Sequence, residues 1–249
     1  MSRSPSSSNS EDLSLQNQTL FWNEWNSTIR ENRWLDTVSA RRGQMAIGLL
    51  QSLKLTRPEI LEVGCGTGWL SQELAKFGTV TANDLATEVV ERVQKRLPDI
   101  RFLAGDFMAV QLPSEHFDVV VCVETLSSIV DQSAFIRRCH EVLKPGGGLI
   151  LTTPNRIVFE RRTDVMPRGH GQVRKWPTPG QVKRLLMANQ FRIRHLSSIV
   201  TEGHVGFLRI VNSYKLNGLL AFVFPQERLD AIKERLGLGQ TIVVLAEKD

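Results

Sequence analysis

The chain has 249 residues, 41% of them apolar and 23% charged, with a formal net charge of +5. That is enough apolar material for one full α/β core, and no apolar run is long enough to span a bilayer as a helix. Three cysteines (Cys65, Cys122, Cys139) without metal-ligand spacing argue against a disulfide framework and fit a reducing, cytoplasmic setting.

The opening M-S-R-S-P-S-S-S-N-S lacks the apolar centre of a secretory signal and predicts a disordered leader over residues 1–15. Residues 16–57 have a helical pattern with three tryptophans, Trp22, Trp25 and Trp34. These pack on the core, wall an apolar pocket or form a lid. Residues 58–71 read P-E-I-L-E-V-G-C-G-T-G-W-L-S: a short buried strand, three glycines at alternate positions (Gly64, Gly66, Gly68), then a helical pattern. Such a turn lets backbone approach a ligand, and the helix start offers free N–H groups to a polar or anionic group. The spacing is one residue short of G-x-G-x-x-G, and no G-K-[ST] follows, which excludes a P-loop. A strand over 79–82 ends in Asn83-Asp84-Leu85. Asp84 stands about twenty residues past the loop, where a ribose-binding acid is expected. An N-cap for the helix over 86–97 is also chemically sound, but position favours the ligand role.

A third strand over 100–103 precedes Gly105-Asp106-Phe107. The apolar run 117–123 predicts a central strand ending at Glu124-Thr125-Leu126. A helix over 134–143, the turn L-K-P-G-G-G and a fifth strand over 149–153 follow. Two further strands are predicted near 193–200 and 241–246.

Taken in order, E-V-G-C-G-T-G, G-D-F, F-D-V-V-V-C and L-K-P-G-G-G-L-I-L-T-T-P-N resemble the motifs of class I S-adenosylmethionine-dependent methyltransferases over residues 58–155, and more loosely to the end. The resemblance implies an α/β fold: an open, mostly parallel seven-stranded sheet flanked by helices, with an N-terminal helical lid and late insertions. It implies one domain over 16–249, with helices at 16–57, a cofactor core at 58–155, substrate-shaping segments and late strands at 156–240 and a final strand at 241–249. S-adenosylmethionine is the expected cofactor, held by Glu62, Gly64, Cys65, Gly66, Gly68, Asp84, Leu85, Asp106, Phe107 and Glu124. Asp106 would accept from the adenine amine with Phe107 flanking the ring, Glu124 would hold the methionine end or line the substrate site, and Arg41 or Arg42 would reach the cofactor carboxylate.

The chain departs from the family at one place. Many relatives read E-V-L-E-H after the fourth strand; here the run is Glu124-Thr125-Leu126-Ser127-Ser128, so no histidine base is inherited. The next candidates are His170 (R-G-H-G-Q) and His204 (E-G-H-V-G), although a histidine flanked by glycines is more often a loop residue. His116 and His140 read as structural. Between Arg156 and Arg194 ten Lys and Arg face only Glu160 and Asp164, which is either a solvated surface or a field for an anion. The expected substrate residues are Trp22, Trp25, Arg161, Arg162, Arg174 and Trp176. No metal is expected, and no membrane partner. The absence of a Pro-Pro-aromatic motif after strand four and of a Pro-Cys pair argues against most nucleic-acid substrates. The reading is a small-molecule methyltransferase, with an anionic aromatic or prenyl-type acceptor. Alternatives are a tRNA or other RNA methyltransferase and a non-catalytic methyltransferase-like subunit.

Overall fold

The computed structural model describes residues 14–31, 35–200, 228, 234 and 236–249. The predicted leader, Trp34, His204 and most of the late insertion lie outside them. Two helices come first, α1 (Leu15–Trp25) and α2 (Thr37–Ser52), followed by β1 (Glu59–Val63), α3 (Trp69–Leu74), β2 (Thr79–Asp84), α4 (Thr87–Arg96) and β3 (Arg101–Ala104). Then come β4 (Phe117–Val123), α5 (Gln132–Val142), β5 (Leu143–Pro154), α6 (Arg156–Phe159), α7 (Pro179–Ala188), β6 (Phe191–Ile199) and β7 (Thr241–Lys248).

One seven-stranded sheet runs in the order β3-β2-β1-β4-β5-β7-β6. Its first five strands pair in parallel, while β7 runs antiparallel to both β5 and β6. The strand order reverses direction at β1, between the segments leading to β2 and to β4, and such switch points leave a crevice at the carboxyl ends of the strands. The central strands are apolar on both faces because helices cover both. Ile60, Val119, Val121 and Ile150 pack with α2, α3 and α4, and Leu61, Val120, Leu149 and Leu151 pack with α5 and α7.

Helix ends follow local chemistry. Asp131 caps α5 by accepting from the N–H of Ala134, and Thr178 and Gln181 form a reciprocal cap on α7 with Pro179 at its first turn. In α4, Glu88 stands at the start and Lys95 and Arg96 at the end, in the sense that complements the helix dipole.

Three boundaries are set by the packed chain, and the last differs from expectation. The 16–57 helical segment is two helices: α1 runs into a π-turn (Asn26–Arg30), and Asp36 starts α2 by accepting from the N–H of Ser39. The helix after the glycine loop stops at Leu74, four residues before β2. β5 begins at Leu143 rather than at Leu149: Phe117 pairs Leu143 and Val119 pairs Gly148, so K-P-G-G lies within a bulge of the strand, tied by Lys144 to Asp118 at 2.7 Å.

Candidate active site

A cleft of about 800 Å³ opens where β1, β2 and β4 end beneath α1, α2 and the segment after β5. The glycine loop forms its floor. Gly64, Gly66 and Gly68 have φ of +80°, +50° and +73°, and a Cβ on Gly64 would lie 2.2 Å from Thr125 Oγ1. Thr125 itself donates to the Val63 carbonyl at 2.8 Å, so the loops after β1 and β4 are seated on each other. Gly64 and Cys65 both donate to the Asn83 carbonyl, at 2.8 and 3.1 Å.

Three acids face this floor. Asp84 ends β2 and accepts from the N–H of Gly66 at 2.7 Å and of Ala86 at 2.8 Å, which ties both its oxygens to backbone. It is not the helix cap weighed from the sequence, since α4 starts after Ala86 without a side-chain cap, and it lines the cleft. Burial pushes its pKa up, opposed by those N–H donors. Asp106, beyond β3, accepts from Met108 N–H at 3.0 Å, with Phe107 beside it. Glu124 holds a left-handed φ of +64°, uncommon for a residue with a Cβ. Its side chain accepts from Thr152 Oγ1 at 3.0 Å and pairs with Arg42 at 3.2 Å, and Arg42 also donates to Thr241 at 3.0 Å. Cys65 and Leu85 line the same cleft.

Glu62 and Gly68 do not line it. Gly68 starts α3, and Glu62 lies beneath the loop, where it accepts a hydrogen bond from Ser71. Burial raises the Glu62 carboxyl to about 7, with a further push from the Asp84 charge and an opposing one from Ser71.

The opposite wall is aromatic. Trp22 and Trp25 project from α1, and Phe159 and Trp176 come from α6 and the segment before α7. Phe159 and Trp176 pack at 5.0 Å between ring centroids, with Arg162 5.5 Å above the former and Arg174 5.4 Å above the latter. Arg161 does not reach the cleft; it donates to the Ile157 carbonyl at 2.6 Å.

His170 is exposed and outside the cleft lining, so the structure corrects its expected position as a base: the chain on either side of it packs on α1 and leaves the ring at the surface. His204 lies outside the described residues. Among the described residues of the cleft there is no histidine, and no group of three or more His, Cys, Asp or Glu is arranged to hold a metal.

The basic run disperses. Arg192 and Arg194 pair with Glu247 on β7, Lys175 donates to the Val130 carbonyl at 2.6 Å, and Arg156 lies 3.8 Å from Glu160. Sequence reasoning missed the partners of Glu124 (Arg42 and Thr152) and the bond of Arg162 to Gln240, which come from distant segments with no local signal.

The methyltransferase-domain family matches residues 61–151. The ubiquinone biosynthesis O-methyltransferase of Xanthomonas oryzae pv. oryzae is 28% identical over 221 residues, covering 78% of this chain and 90% of its own. That of Xanthomonas euvesicatoria pv. vesicatoria is 29% identical over 216 residues with the same coverage. The solved S-adenosylmethionine-dependent methyltransferase of Mesorhizobium loti superposes with a TM-score of 0.58 at 19% identity, covering 82% of this chain and 98% of its own. These likenesses support a class I S-adenosylmethionine-dependent methyltransferase. The residues around the cleft suit that cofactor: a loop whose Gly64 and Gly66 leave backbone open to a ligand, an acid at the end of β2, an acid and an aromatic after β3, and an Arg–Glu pair of opposite charges. No helix among the described residues is long and apolar enough to cross a membrane.

Proposed function

We propose that the chain transfers the methyl group of S-adenosylmethionine to an oxygen of a small aromatic acceptor that also carries an anionic group. The observation that carries this is the meeting, in one cleft, of the glycine loop, Asp84, Asp106 and Glu124 with the aromatic wall of Trp22, Trp25, Phe159 and Trp176. The names of the O-methyltransferase relatives support oxygen as the acceptor atom. Leu15, Met108, Val130 and Met166 are exposed around the mouth and suit an apolar, prenyl-like extension of the acceptor.

Each residue has a distinct task. Asp84 accepts from the ribose hydroxyls through the lone pairs its backbone donors leave. Asp106 accepts from the adenine amine, with Phe107 against the ring. Arg42 and Glu124 offer one positive and one negative group to the zwitterionic methionine end. The bound cofactor supplies a sulfonium leaving group, so the protein needs no covalent intermediate. Its work is to align the acceptor oxygen and exclude water. A phenolic hydroxyl, with a pKa of about 10, is far easier to deprotonate than an alcohol, which suits a cleft whose described lining has no histidine. Three buried free thiols support a cytoplasmic location.

The test is transfer of radiolabelled methyl from S-adenosylmethionine into host extract, followed by organic extraction and RNase treatment. Label in the organic or low-mass fraction is expected. Label released by RNase would replace the small acceptor with RNA.

A further inference from the structure

Arg162, Phe159, Trp176 and Arg174 form one cation–aromatic cluster on the wall of the cleft, the two rings tilted at 48° and each with a guanidinium over it. The two cations are neutralised unequally. Arg162 holds Asp164 through two parallel bonds, Nε to Oδ1 at 2.9 Å and Nη2 to Oδ2 at 2.5 Å. Arg174 donates only to neutral oxygens: the Met166 carbonyl at 2.9 Å, the Pro167 carbonyl at 3.4 Å and Gln172 Oε1 at 2.8 Å. No carboxylate among the described residues pairs with it. Partial burial and the nearby Arg168 lower its pKa, as expected of a cation short of negative charge.

Asp164 is an easily displaced partner. Its side chain is 64% exposed against 24% for Arg162, it stands two residues away in sequence, and exposed pairs of this kind contribute little. When it leaves, Arg162 is still positioned by the Phe159 face beneath it and by its bond to Gln240. The fork then presents the same two-point geometry to another planar carboxylate, with the Arg174 guanidinium over the neighbouring Trp176 ring.

Building on the methyltransferase reading, we infer that this cluster is the acceptor's carboxylate-recognition site, and that Asp164 is an internal carboxylate which the acceptor's own carboxylate displaces. The acceptor class is thus an aromatic carboxylic acid. Asp164 sets the threshold for entry: a neutral aromatic cannot displace it, and an acid can.

The experiment titrates 4-hydroxybenzoate and its neutral counterpart 4-hydroxybenzamide into the full chain with S-adenosylhomocysteine bound, followed by NMR. Wild type should prefer the acid by about fivefold or more. Asp164→Asn should tighten the acid about fivefold and leave the amide unchanged, while Arg174→Gln should weaken the acid about tenfold. Asp164→Asn changes an exposed side chain, and its S-adenosylhomocysteine affinity reports that the fold is intact. Equal binding of acid and amide, binding of neither, or an Asp164→Asn variant no tighter for the acid than wild type overturns the inference. If S-adenosylhomocysteine binds normally in those cases, the methyltransferase reading stands; if wild type does not bind it, both fall.

Discussion

Glu62 and Asp84 are two acids at neighbouring strand ends, and their surroundings separate their roles. Asp84 stays at the cleft because two backbone N–H groups stabilise its charge. Glu62 has only the Ser71 hydroxyl, and burial lifts its carboxyl from 4.5 to about 7. Between those values the folded chain keeps a proton that the unfolded chain releases, so stability falls as pH rises from 4.5 to 7 and stays lowered above. The full effect is about 3 kcal/mol. Glu62→Gln keeps an acceptor for Ser71 and should remove this slope; urea unfolding at pH 5 and pH 8 should show the variant gaining on wild type at the higher pH. A parallel loss in both proteins would contradict the assignment. Gly64 gives a second residue-scale prediction. Alanine there meets Thr125 Oγ1 and keeps a positive φ, costing about 2–3 kcal/mol. Thr125→Ala should recover part of that loss, with a coupling of about 1 kcal/mol in a double-mutant cycle; strict additivity would mean the two loops relax apart. The three glycines were legible in the sequence, because a run of alternate glycines between strand and helix has few other uses. Their contact with Thr125 was not, since it depends on which strand lies next to β1.

At the scale of elements, α1 is held from two sides. Arg92 of α4 pairs with Glu31 at 3.0 Å and donates to Ser27 at 2.7 Å, which anchors the π-turn after α1. On the other side, Gly169 lies against Phe21, and Gly171 (φ +75°) lies so close to the Asn17 carbonyl that a Cβ would sit 2.3 Å from its oxygen. The R-G-H-G-Q segment thus clasps the first helix, and its glycines are needed for that contact rather than to free His170 for chemistry. Gly171→Ala should lift this segment from α1. Limited proteolysis within residues 163–172 should accelerate, and the KM for the acceptor should rise about fivefold, with S-adenosylhomocysteine affinity within about twofold of wild type. Unchanged proteolysis would show that the clasp does not hold the segment. Sequence reasoning identified a glycine-flanked loop; what those glycines touch is more than a hundred residues away, beyond any periodicity.

For the whole molecule, the run of cations after β5 is a feature of the chain rather than of one surface. Arg162 and Arg174 reach the cleft, whereas Arg192 and Arg194 stand on the far edge strand β6 and pair with Glu247. Arg192→Ala/Arg194→Ala should therefore leave kcat/KM for an anionic acceptor within about twofold, because screened charges at the sheet edge add little at the cleft. A tenfold loss would restore the idea of a collective field. Apolar runs, helix-starting residues and the glycine turn act over a few neighbours, so the sequence by itself determined the alternation of strands and helices, the cofactor loop and the acids at the ends of β2, β3 and β4. Packing of the whole chain put β7 between β5 and β6 in the opposite sense, enclosed Glu62 while leaving Asp84 at the cleft, brought Arg42 to Glu124, and set Arg162 and Arg174 each over one ring of the Phe159–Trp176 pair. Those outcomes depend on which distant surfaces exclude water from one another, and that is settled only when the whole sheet and its covering helices pack together.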